Sequence, residues 1–125
     1  MDDTTLIKSL IRSYEYQDRL YQELTLLVQK ILGKVTLSRG DMVGVVNLFD
    51  EKNVLLDKIG KERDLIADEV SSWQQRKESL KNHENFNQLD QVLISIEKTI
   101  SSFMNIEDQL RLFMEPPESL QSSEV

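Results

Sequence analysis

A chain of 125 residues with 39% hydrophobic and 30% charged residues, four glycines and two prolines has the length of one domain and the make-up of a helical one. Its net charge of −7 makes nucleic acid and anionic membrane surfaces poor partners, because both are held by clustered Lys and Arg. The absence of cysteine excludes disulfides and thiolate metal sites and fits a reducing compartment.

The N-terminal Met1-Asp2-Asp3-Thr4-Thr5 is acidic and polar, without the positive start and apolar core of a signal peptide, so a cytoplasmic location is expected. No apolar run has the length of a membrane span, so membrane insertion is not expected. Thr4 or Thr5 is the expected N-cap of a first helix over about 5–32. Its apolar stripe reads Ile7, Leu10, Tyr14, Gln17, Tyr21, Leu24, Val28, Ile31, every step three or four residues, with Gln17 as its polar member. Gly33 is the expected C-terminal stop.

Ser38-Arg39-Gly40-Asp41 has capping-box spacing and predicts the start of a second helix over about 41–80. Its stripe reads Val45, Phe49, Lys52, Leu56, Ile59, Arg63, Ile66, Val70, Trp73, Lys77, Leu80, again in steps of three or four. A helix of about 40 residues is about 60 Å long, too long for a compact globule. Gly44 and Gly60 weaken it locally, and a break or bend is expected near Gly60.

The polar stretch Lys81-Asn82-His83-Glu84-Asn85 predicts a turn, with Asn85 or Asn87 capping a third helix over about 86–114. That stripe is Phe86, Leu89, Leu93, Ile96, Ile100, Phe103, Glu107, Leu110, Met114. Pro116-Pro117 ends it, and the short polar segment over 116–125 reads as a disordered tail. From Glu84 onward eight acids face two bases, Lys98 and Arg111, so the last third is the acidic part of the chain. The expected fold is all-α: one domain over 1–115, an elongated antiparallel three-helix hairpin or bundle with coiled-coil character.

No reaction chemistry is evident. His83 stands alone in a predicted loop, and the carboxylate pairs Asp2-Asp3, Asp50-Glu51, Asp68-Glu69 and Glu107-Asp108 are adjacent residues that diverge on a helix. Neither a metal site nor a cofactor or catalytic site is expected. Gln17, Lys52, Arg63, Lys77 and Glu107 occupy stripe positions. They either snorkel at the stripe's border or pair across helices and fix register, as Glu107 with Arg63.

The third helix carries more apolar residues than one packing face needs. Ile100, Phe103, Met104, Ile106, Leu110, Phe113 and Met114 are the candidate partner-binding residues, a Met-bearing surface suited to a helical partner. The same residues could instead be buried inside the domain or in a homodimer. On the binding reading, Phe103→Asp with Leu110→Asp abolishes partner binding.

The stretch from Gly40-Asp41 through Leu48, Phe49, Lys52 and Leu55-Leu56 resembles the start of the second helix in FlgN-type flagellar export chaperones and the related FliT type. Upstream, Tyr14, Leu20, Leu24 and Leu27 are similar to the Tyr- and Leu-rich first helix of those proteins. The chain departs from the type at Asn105, which stands without the Asn-rich run leading to Leu-Leu. The resemblance implies a cytoplasmic chaperone of type III export. Such a chaperone binds amphipathic C-terminal helices of hook-associated or filament-cap subunits, prevents their premature assembly and delivers them to the export apparatus. The alternative from another class is a structural coiled-coil scaffold whose seams are used up in a homo-oligomer.

Overall fold

A computed structural model of the chain describes residues 2–37 and 43–114, all helix and short turns with no strand among them. The fold is all-α. The expected capping box at Ser38-Arg39-Gly40-Asp41, the Pro116-Pro117 stop and the tail over 116–125 lie outside the described residues.

Helix α1 covers Asp3–Leu37. Its N-cap is Asp2 rather than Thr4 or Thr5: the Asp2 Oδ1 accepts a hydrogen bond from the Thr5 N–H at 2.7 Å. That bond holds the Asp2 carboxyl below the ordinary carboxylate range. The helix does not stop at Gly33. Burying Val35, which is 1% exposed, favours continuation by about 1.5–3 kcal/mol, against about 1 kcal/mol for a glycine in the helix.

A 3₁₀ turn at Val43–Val45 leads into α2, Val46–Leu65, followed by α3, Ala67–Leu80. The second helix expected from the sequence is therefore interrupted, and the interruption falls at Ile66 rather than Gly60. Ile66 has φ −102° and ψ 9°, outside the helical well, while its N–H still donates to the Glu62 carbonyl and its carbonyl accepts from the Val70 N–H. Gly60 has open space around it and stays helical.

A turn over 81–85 leads to α4, Phe86–Met114. His83 organises this turn. Its Nδ1 accepts from the Asn85 N–H at 3.1 Å, which leaves the proton on Nε2, 3.1 Å from the Thr4 hydroxyl at the start of α1. Asn85 immediately precedes α4, but its side-chain amide donates to Gln88 and its Oδ1 has no partner, so it does not cap through its side chain.

Two apolar clusters run the length of the molecule, and α1 is common to both. Leu6, Ile7, Leu10 and Ile11 meet Ile66, Trp73 and Leu80 from the second half of the α2–α3 segment and Leu89 from the start of α4. Leu24, Val28, Ile31 and Val35 meet Val45, Leu48, Ile59, Phe103 and Leu110. Each end of α1 thus touches both neighbours. Ring contacts add to the packing: Tyr21 of α1 and Phe103 of α4 have centroids 5.8 Å apart, and Trp73 of α3 and Phe86 of α4 have centroids 5.4 Å apart.

The buried positions recur at a strict interval of seven. Leu89, Ile96, Phe103 and Leu110 are the buried residues of α4, and Leu10, Gln17, Leu24 and Ile31 keep the same interval in α1. In α2 and α3 the buried set includes Ile59, Ile66, Trp73 and Leu80, again seven apart. The expected stripe there is shifted in part. Leu48 is buried and Leu55 half-buried, whereas Leu56, Arg63 and Lys77 are exposed.

Candidate functional site

A groove of about 660 Å³ is bounded by α1, the α2–α3 junction and α4. Tyr14, Gln17 and Tyr21 come from α1. Arg63, Ile66, Ala67 and Val70 line one side, and Ile96, Ile100, Phe103 and Met104 the other. The space exists because α2–α3 and α4 both pack on α1 but not closely on each other at this level. Ala67 is the one alanine of the chain and follows the interruption directly, so it presents a methyl where a larger side chain would fill the gap.

The groove is apolar with a few polar groups. Gln17 is 3% exposed and donates its Nε2 hydrogen to the Ser13 hydroxyl at 3.2 Å; Ser13 in turn donates to the Glu62 carboxylate at 2.6 Å. This chain of bonds satisfies two polar residues that sit on the seam. Burial pushes the Tyr14 hydroxyl pKa upward, and the positive charge of Arg63 opposes part of that shift. Arg63 is exposed at the rim.

The seven residues expected to grip a partner do not form one surface. Ile100, Phe103 and Met104 meet in the groove. Ile106 is half-buried against the second apolar cluster. Leu110, 2% exposed, belongs wholly to the core, and Phe103, 8% exposed, offers the groove only an edge. The reason is the interval of seven, which carries the α4 seam through both positions. Phe113 and Met114 are exposed, but they lie nine and ten residues, about 14–15 Å, along the helix from Met104. A double Asp substitution at Phe103 and Leu110 therefore removes core side chains, not a free grip.

Tyr14, Tyr21, Ala67 and Val70 are not among the partner-binding residues the sequence suggests, because a groove between helices that diverge has no local signature. The solitary alanine was the available signal. The polar seam residues also differ from expectation: Glu107 pairs with Lys52, not with Arg63. Among the described residues, no group of three or more His, Asp or Glu side chains is placed to hold a metal ion, and no helix is long and apolar enough to cross a membrane.

Comparison with protein-family models, curated proteins and solved structures finds no match.

Proposed function

We propose that the protein is a chaperone that holds an amphipathic helix of an exported client in the groove between α1, the α2–α3 junction and α4. Its arrangement is an elongated up-down-up hairpin of coiled-coil character, with α2 and α3 forming one bent arm. Apolar residues spaced three or four apart on the client enter beside Ile100 and Met104, and the half-exposed rings of Tyr14 and Tyr21 form the floor. The FlgN and FliT resemblance adds the identity of the clients, which are hook-associated or filament-cap subunits held in the cytoplasm before transfer to the export apparatus. The observation that carries this reading is an open apolar groove built from three helix segments, with polar groups few and placed at its floor and rim. The acidic last third keeps the unoccupied protein dispersed.

The test is fluorescence anisotropy with C-terminal helical peptides of hook-associated and filament-cap subunits encoded in the same genome. At least one peptide binds the wild-type chain, and Ala67→Trp, which fills the groove from an exposed position, weakens it by tenfold or more. Binding that ignores Ala67→Trp, or no binding to any of these peptides, contradicts the reading.

A second reading is a homo-oligomeric scaffold. It is favoured by the exposed Leu37, Val43, Val46, Phe113 and Met114, which flank the core residues Val35, Val45 and Leu110 at one end of the molecule. Light scattering separates the two. A chaperone exchanges self-contacts for one client, whereas a scaffold keeps its oligomer when peptide is added.

A further inference from the structure

We propose that Arg63 makes the groove selective for a helix carrying an acidic side chain at the edge of its apolar face. The selectivity deepens the helix-binding reading and rests on it. Among the described residues that line the groove, Arg63 is the one with a charge. It takes part in none of the ion pairs formed among the described residues, where Lys52, Lys61, Arg76, Lys81 and Arg111 all have carboxylate partners.

The sequence explains why Arg63 has no carboxylate partner on its own helix. Some exposed cations pair with an acid three or four residues away, as Lys61 with Asp57 in α2, Arg111 with Asp108 in α4 and Lys81, just past α3, with Glu78. The corresponding neighbours of Arg63 are Ile59, Gly60, Ile66 and Ala67, none of them acidic. The adjacent Glu62 accepts the Ser13 hydroxyl bond on another side of the helix. Arg63 therefore keeps its fork of donors free at the rim, beside the Tyr14 hydroxyl.

A helix seated in the groove removes water from this guanidinium. Without a carboxylate the buried charge is unfavourable, and with one the pair forms a charge-assisted contact. Charge elsewhere sharpens the choice. The chain carries −7 overall, so an acidic segment gains nothing from the chain's net charge, and within the groove Arg63 alone supplies a favourable charge for it.

Three fluorescein-labelled synthetic peptides of about 18 residues, five helical turns, test this. Each has one leucine stripe, and they differ only in Glu, Gln or Lys at one position on the stripe's edge. With the full chain, the Glu peptide is expected to bind about tenfold or more tighter than the Lys peptide, with Gln between them. Arg63→Gln flattens the series and Arg63→Glu inverts it. Equal binding of all three peptides to the wild type, or a Glu preference that survives Arg63→Glu, overturns the selectivity while leaving the helix groove standing. Failure of every peptide to bind overturns the groove as well. Sedimentation of each variant without peptide covers the remaining occupant. Loss of a dimer in Arg63→Glu, with no peptide bound by the wild type, assigns the groove to a second copy of the chain and overturns the proposal.

Discussion

The Ser13 hydroxyl donates to the Glu62 carboxylate across 2.6 Å, joining the N-terminal third of α1 to α2 four residues before the interruption at Ile66. With Gln17 donating to Ser13, it forms a polar layer on a seam that is otherwise apolar. A partly buried carboxylate that loses its donor keeps its desolvation cost. Ser13→Ala is therefore expected to lower stability by about 1–3 kcal/mol in urea unfolding followed by circular dichroism. An unchanged midpoint contradicts this.

The Lys52 and Glu107 pair ties α2 to α4 one turn beyond the groove, and the Glu107 Oε2 is buried without a hydrogen-bond partner. The lysine side chain is 12% exposed and the glutamate 34%, so screening by water is incomplete. Lys52→Met alone leaves a largely desolvated carboxylate and is expected to cost about 2 kcal/mol. Lys52→Met with Glu107→Leu is expected to recover most of that loss. A double-mutant cycle checks both, and equal losses in the single and double variants would count against a coupled pair.

Phe103 and Met104 are neighbours in sequence with opposite expected behaviour. Phe103→Ala opens a cavity against Tyr21 and the α1 core and is expected to cost about 3–5 kcal/mol. Met104→Glu, at a position 58% exposed, is expected to leave the melting temperature within a few degrees while weakening peptide binding. Thermal melts of the two variants suffice. Similar melting temperatures would contradict the orientation of α4.

Burial raises the Tyr14 hydroxyl pKa above its ordinary value of 10.0, with Arg63 opposing. The folded chain therefore holds this proton to higher pH than the unfolded chain. The stability associated with it is complete below about pH 10 and is lost as pH rises through the raised folded value. Tyr14→Phe removes that titration, so the variant's melting temperature is expected to fall less steeply than the wild type's above pH 10. Parallel curves contradict it.

Much of the fold was legible because apolar residues recur every three or four positions, which defined the run of α1, the α2–α3 segment and α4. What was not legible depended on tertiary terms. The helix continues through Gly33 because Val35 has a core to enter, and the interruption falls at Ile66 although Gly60 has the weaker local propensity. Glu107 and Lys52 were each visible as polar seam residues, but their pairing depends on how α2 and α4 register on α1. In the groove, Ile100 and Met104 were expected from an over-wide apolar surface. Tyr14, Tyr21, Ala67 and Val70 enter only because two arms diverge on a shared helix.

Amide hydrogen exchange read by mass spectrometry, with and without a bound amphipathic peptide, distinguishes a client helix seated in the groove from one held at the exposed end of α4. Added protection is expected in the segments holding Tyr14 to Tyr21, Arg63 to Val70 and Ile96 to Met104. Protection confined to the ends near Leu37 and Phe113, with those three segments unchanged, would contradict a client held in the groove.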